Sequence, residues 1–274
     1  MPFHGVLPDR KWLFQPEPHK DVAVSDSEAW RLYPAFRQVY DKLHLARTQD
    51  ITAHPCSTDP LTRGVAPHTP LFVKPIVNLQ GMAIEARQCR AEQIPNNESL
   101  FWTLVYEGIH TSTDCLLLNG EVVYFLHSKS SEEKDNFRSV YWHIGINLAE
   151  DEAAIAAFVE SQLPGYTGIC NLERIGDKVI EMHLRGSNGF FDLYPQDFIE
   201  AWVRLVDEEV WQPPGKMLPS YLFSLFGTFP LRSEYEQIAT EFGVKIRPDL
   251  HTSDRVALIY ADDKEKGVAA MNQL

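Results

Sequence analysis

An α+β fold dominated by antiparallel hairpins is what this 274-residue sequence predicts, and three observations predict it. Strands arrive in pairs joined by tight-turn signals, first Asn119-Gly120 between apolar runs and then "TGICNLERIGDKVIEMHLR". Helical periodicity comes in separate blocks, whereas a doubly wound parallel sheet would interleave helices with single strands. With 44% hydrophobic and 23% charged residues, the chain has the composition of a globular protein able to bury a real core, as one large domain or two intimate small ones.

Residues 1–24 carry several prolines and no sustained period, which predicts an irregular arm. Ser25 and Glu28 then have capping-box spacing and open a helix whose apolar positions Phe36, Val39, Tyr40, Leu43 and Ala46 run to about Arg47. Pro34 is expected to kink or restart it. The Pro-, Thr- and Ser-rich stretch 51–69 reads as loop. A short buried strand over 71–73 ends at Lys74 and leads into a loop through Gly81. Strands follow over 101–106, 112–118 and, after the Asn-Gly turn, 122–127. "NLAEDEAAIAAFVESQL" predicts an amphipathic helix with Asn147 as its cap and acids in the first turn, where the helix dipole favours them. Beyond the second hairpin come a helix over about 196–209, a helix from the Ser233/Glu236 capping box to Gly243, a strand over 256–260 and a terminal helix.

The formal charge of -13 excludes a general nucleic-acid binder, which carries a basic stripe. No apolar run approaches the roughly 20 residues that span a bilayer, and the opening "MPFHGVLPDRKW" lacks the basic-then-apolar layout of a signal peptide. A soluble, cytoplasmic protein without a membrane partner is expected. Cys56, Cys89, Cys115 and Cys170 form no CxxC pair and the histidines show no HExxH or HxH spacing, so reduced packing cysteines and no zinc site are expected. Trp102, Tyr141, Trp142 and Trp202 read as packing residues, since aromatics dominate cores through area.

The strand "KVIEMHLRG", residues 178–186, carries the most chemistry. Side chains alternate along a strand, so Glu181, His183 and Arg185 share one face. A two-residue turn at Gly176-Asp177 would set Glu181 opposite Leu172. A three-residue loop over 176–178 instead pairs Glu181 with Glu173 and His183 with Asn171. That register collects Asn171, Glu173, Glu181, His183 and Arg185 on one face and Leu172, Ile180, Met182 and Leu184 on the other, and it is the one expected. Two facing carboxylates repel unless something cationic lies between them. Magnesium, which takes one or two carboxylates together with substrate phosphates, is the simplest candidate. A solvated polar face with a Glu–Arg pair is the alternative on the hairpin alone.

The order and spacing of the motifs resemble the ATP-grasp superfamily of nucleotide-dependent ligases over roughly residues 38–195. "YDKLHLARTQDITAHP" is similar to the "DK" helix and extended segment that open the ATP-binding region. "LFVKP" resembles the strand bearing the phosphate-binding lysine, and "NLQGMA" the glycine-containing flap. "LVYEGIHTSTDCLLLNGEVV" resembles the hinge and hairpin written acid-Gly-x-Glu-x-Ser-x-Asp. "NLERIGDKVIEMHLRGSNG" resembles the metal-binding hairpin with its terminal Glu-x-Asn-x-Arg.

The resemblance implies a two-lobed fold with antiparallel sheets that lacks most of the usual N-terminal α/β domain, because only about forty residues precede the "DK" helix. The implied divisions are an arm and helix (1–66), a small lobe (67–107), a large lobe with the metal hairpin (108–211) and a C-terminal α/β subdomain (212–274). It implies that Lys42 and Lys74 contact ATP phosphates, Gly81 and Met82 lie in the flap, and Leu104, Val105 and Glu107 line the adenine site. His110 replaces the usual ribose-binding glutamate. Glu173, Glu181 and His183 would hold the metal, with Arg185 steadying the transferred phosphate. His183 stands where asparagine is usual, and imidazole suits softer divalent ions, so Mn2+ enters beside Mg2+. The implied activity is an ADP-forming ligase that activates a carboxylate as an acyl phosphate for an amine or similar nucleophile on a small-molecule or peptide acceptor, with homo-oligomers as a further expectation. The short N-terminus and the two histidine replacements motivate an alternative, a non-catalytic nucleotide-binding regulatory or assembly module.

Overall fold

The computed structural model describes residues 2–80, 84–187, 189–252 and 254–274. Strands β1 (Ala53–Pro55), β2 (Pro70–Pro75), β3 (Arg87–Arg90) and β4 (Leu100–Leu104) form a small antiparallel sheet in the order β1-β4-β2-β3. A second antiparallel sheet is built from β5 (His110–Leu118), β6 (Glu121–Ser130), β7 (Tyr141–Ile144), β8 (Gly168–Ile175), β9 (Lys178–His183), β10 (Ser220–Phe226), β11 (Lys245–Pro248) and β12 (Arg255–Ala261). Its order is β9-β8-β5-β6-β7-β10-β12-β11. The strands after residue 212 thus continue the sheet that carries the 168–183 hairpin.

The helix expected over residues 25–47 is three pieces: α1 (Asp26–Leu32), a 3-10 segment Pro34–Tyr40 and α2 (Lys42–Arg47). Proline excludes its predecessor from helical geometry, and Tyr33 sits at φ -117 and ψ 60. Asp41 restarts the helix by accepting the His44 N–H at 2.8 Å. Helix α3 (Glu152–Gln162) starts later than Asn147, because the Asn147 side chain accepts the Ala149 N–H at 3.0 Å and holds a turn there. Helices α4 (Phe198–Glu208), α5 (Tyr235–Phe242) and α6 (Lys264–Met271) complete the set. The strands β1, β3, β7, β10 and β11 have no counterpart among the expected elements, being short or without alternation, as in "RQCR" and "YWHI".

Both faces of the large sheet are covered at one end. Cys115, Leu117, Cys170, Leu172, Met182 and Leu184 pack with Ile155 and Val159 of α3. On the other face Leu116 and Ile169 pack with Phe198 and Trp202 of α4. Along β8 that second face changes from Ile169 in the core to Asn171 and then to half-buried Glu173, so the apolar layer ends where the small sheet begins to cover it. Trp102 and Trp202 are packing residues as expected. All four cysteines are free thiols. Among the described residues, no helix is long and apolar enough to cross a membrane.

The segment joining the two sheets is pinned by two glycines. Gly108 has φ +123, and a Cβ there would meet the Gly176 Cα at 2.8 Å. The Gly176 N–H in turn donates to the Ile109 carbonyl at 3.0 Å. Gly108→Ala combines a strained φ with a backbone clash and is expected to cost about 2 kcal/mol of stability. Chemical denaturation reads this, and an unchanged midpoint would show that the junction relaxes freely.

Candidate functional site

The 168–183 hairpin takes the expected register by a different route. Asn171 pairs with His183, Leu172 with Met182 and Glu173 with Glu181, but Ile175 lies opposite Lys178 across a two-residue turn. The predicted three-residue loop is therefore incorrect. The odd residue is absorbed by a bulge, with Arg174 opposite Val179 and Glu173 opposite Glu181. β9 is the edge strand, where a bulge disrupts only one ladder. The bulge also corrects the faces: Val179 joins the core, while Ile180 lines the cleft between the sheets.

Cations from three elements converge on Glu181. Lys74 of β2 is buried and places Nζ 3.4 Å from Glu181 Oε1 and 3.0 Å from the Ile180 carbonyl. Lys42, the first residue of α2, is also buried, with Nζ 3.7 Å from the same oxygen. His183 Nε2 lies 3.4 Å from Glu181 Oε2. Burial pushes the Glu181 pKa up, but Lys42 and Lys74 outweigh it and hold the carboxyl well below its ordinary range. Burial likewise pulls the Lys74 ammonium below its usual value, against the opposing attraction of Glu181. Glu173, facing Glu181, accepts from His110 Nε2 at 3.0 Å, and the His110 ring packs edge-on against Trp142 at 5.1 Å.

Behind this row lies a residue that no sequence pattern singles out. Asp26, in the first turn of α1, is buried and bonds His183 Nδ1 at 3.0 Å, the Arg185 guanidinium at 2.9 Å and the Tyr40 hydroxyl at 3.2 Å. Burial and Arg185 act to lower the His183 pKa, yet Asp26 and Glu181 win and raise it. The capping-box spacing of Ser25 and Glu28 marks the helix start, but nothing local marks Asp26 as a partner of residues more than 150 positions away.

Among the described residues, no group of three or more His, Cys, Asp or Glu side chains is disposed to hold a metal ion. Each ring nitrogen of His183 faces a carboxylate, Nδ1 lying 3.0 Å from Asp26 and Nε2 3.4 Å from Glu181. Glu173 and Glu181 stand opposite each other across β8 and β9, and carboxylate oxygens are the hard ligands that a magnesium ion takes together with phosphate oxygens and water.

The site opens into a cleft of about 520 Å³ between the sheets. Leu104, the last residue of β4, and Val105, which follows it, line the cleft, and both are more than a third exposed. Glu107 does not line it; its carbonyl backs onto the Gly176 turn instead. Gly81 and Met82 lie outside the described residues. Trp142 packs against the core as expected and also lines the cleft, and Phe72 of the small sheet meets Phe137 edge-on at 5.3 Å across the gap. Lys42, Lys74, Lys134, Arg138, Arg185 and Arg255 line the cavity against two carboxylates, Glu173 and Glu181. Arg138, Arg185 and Arg255 are paired with aspartates outside the lining, while Lys42 and Lys74 meet Glu181 within it.

Two antiparallel sheets enclosing a lysine-rich cleft, with paired acids on an edge hairpin, make up the ATP-grasp fold, and comparison with solved structures shows that this chain has it. An L-amino acid ligase from Bacillus licheniformis superposes with a TM-score of 0.62 at 16% identity, covering 90% of this chain and 75% of its own. A carboxyaminoimidazole ribonucleotide synthase from Aspergillus clavatus, complexed with ATP, gives 0.63 at 12% identity, covering 90% and 76%. A putative ATP-grasp superfamily protein from Archaeoglobus fulgidus gives 0.54 at 13%, covering 94% and 85%. The chain thus spans about three quarters of the length of the first two. No protein-family model and no curated protein matches the sequence.

Proposed function

We propose that this protein binds ATP with Mg2+ in the cleft and acts as an ADP-forming ligase. The carrying observation is the convergence of Lys42 and Lys74 on Glu181, opposite Glu173, with Arg185 two residues past the end of the same strand. In this reading Leu104 and Val105 flank the adenine, His110 holds the ribose, and Lys42 and Lys74 hold phosphate oxygens through charge-assisted bonds. Glu173 and Glu181 hold magnesium, which supplies charge neutralisation. Arg185, fixed by Asp26, faces the transferred group. A substrate carboxylate oxygen attacks the γ-phosphorus and the bond to the ADP oxygen breaks. The amine nitrogen of a small-molecule or peptide acceptor then attacks the acyl carbon and expels phosphate. The residues contribute positioning and electrostatic stabilisation, which together account for most of the catalysis of phosphoryl transfer.

The test is calorimetry with a non-hydrolysable ATP analogue, with magnesium and with chelator, followed by ADP release over a panel of carboxylates and amines. Metal-dependent binding is expected, with stabilisation of about 2.7 kcal/mol at ligand 100-fold above Kd. The absence of both heat and stabilisation in every arm would overturn the reading. A second reading, a nucleotide-binding module without ligase chemistry, draws on the engagement of both His183 nitrogens where a metal ligand is usual. Binding without ADP release across the panel would favour it.

A further inference from the structure

We propose that Gln49 is a positioning residue that sets the metal- and phosphate-facing side of β9; this rests on the nucleotide reading above. Gln49 lies just past the end of α2, outside the residues lining the cleft. Its side-chain amide does for Val179 what a neighbouring strand would do. Oε1 accepts the Val179 N–H at 2.8 Å, and Nε2 donates to the Val179 carbonyl at 2.9 Å. Nε2 also donates to the Leu45 carbonyl at 2.9 Å. Both amide protons and the oxygen are thereby used, which fixes the orientation of the group.

The place of this contact gives it its consequence. β9 is the outer strand of the sheet, so its outward-facing backbone has no strand to pair with. Val179 immediately precedes Ile180, the bulged residue that brings Glu181 opposite Glu173. The Ile180 carbonyl is the one that receives Lys74 at 3.0 Å, and Glu181 receives Lys42 and Lys74. Gln49 thus ties α2, which carries Lys42, to the strand that carries Glu181, at the point where that strand departs from regular pairing. Without the amide, the Val179 N–H and carbonyl at this edge turn to water, and the bulge is free to shift along β9. A shift of one position would carry Glu181 away from both Glu173 and the lysines.

Two variants separate positioning from packing. Gln49→Met keeps the length of the side chain and removes every side-chain hydrogen bond. Gln49→Glu keeps an acceptor for the Val179 N–H but cannot donate to its carbonyl. ADP is titrated by calorimetry in magnesium and in chelator, well below the melting temperature, and amide exchange is followed at Val179. Gln49→Met is expected to weaken magnesium-dependent ADP affinity about tenfold, the lower end of what loss of an outer partner of metal ligands costs. Affinity in chelator is expected to change less than twofold, Val179 exchange to accelerate, and Gln49→Glu to recover part of the loss. A lowered melting temperature with unchanged magnesium-dependent affinity, or an equal loss in both arms, would overturn the positioning role. A wild-type protein that binds no ADP in either arm would overturn the nucleotide reading itself, an outcome distinct from either.

Discussion

Lys74→Ala is expected to weaken metal-dependent nucleotide binding about 100-fold, roughly 2.7 kcal/mol, while leaving the protein folded. The side chain is buried, so its charge exists there at the expense of hydration, and Glu181 and the Ile180 carbonyl only partly replace the lost water. In the proposed complex a phosphate oxygen would supply the remaining partner. In the alanine variant Glu181 keeps Lys42 and His183, which is why folding survives. The incoming phosphates lose the only cation contributed to this cluster by the small sheet among the described residues. Glu181→Gln is expected to weaken magnesium-dependent binding too. Because the two side chains touch, the double variant should lose less than the sum of the single losses. Calorimetry in magnesium measures all three, and affinity within twofold of wild type for both single variants would remove Lys74 and Glu181 from the site.

Asp26→Asn is expected to destabilise the protein by about 3–5 kcal/mol, the cost of leaving one side of a buried ion pair without its partner. The carboxylate is buried and bonds three groups, among them the Arg185 guanidinium and the His183 imidazole, whose pKa Asp26 and Glu181 raise against burial. At this chain length the loss corresponds to a melting temperature lower by on the order of 10 °C. The acid limb of the stability profile provides a second reading. Burial pushes the Asp26 pKa up, but Arg185 and His183 override it and hold the group below the ordinary carboxylate range. Stability from a carboxyl depressed in this way is complete above its unfolded pKa of about 3.9 and is lost as pH falls toward the folded value. The wild type should therefore lose stability below about pH 4 more steeply than Asp26→Asn does. Parallel acid limbs would show that the Asp26 charge contributes nothing to folding.

The two variants probe opposite sides of one assembly. Lys74 reaches Glu181 from the small sheet, and Asp26 reaches His183 and Arg185 from the N-terminal helix, so β9 is held between them. Arg185 acquires its direction from Asp26, which raises the guanidinium pKa against burial and fixes one of its nitrogens. Loss of Asp26 is thus expected to reach the transferred group as well as the fold.

What the sequence determined by itself was whatever depends on neighbours in the chain. The Asn119-Gly120 turn, the strand that starts at Lys178 and the helix over about 196–209 are local patterns, and each appears as an element close to its expected bounds. The pairing of Glu173 with Glu181 was legible because facing carboxylates on a polar strand face leave few acceptable registers. The turn that produced it was not, since a two-residue turn with a bulge and a three-residue loop give the same partners. Only the tertiary structure decided what meets that face. Asp26 stands 157 residues from His183, and Gln49 stands 130 from Val179. Both contacts exist because the helical segment 26–47 packs against the edge strand, and no periodicity records such packing. The use of His183 was decided in the same way. Its Nδ1 meets Asp26, a carboxylate that only the packing of the N-terminal helix brings to it, whereas Glu181, two residues away on the same strand, is its neighbour in the sequence.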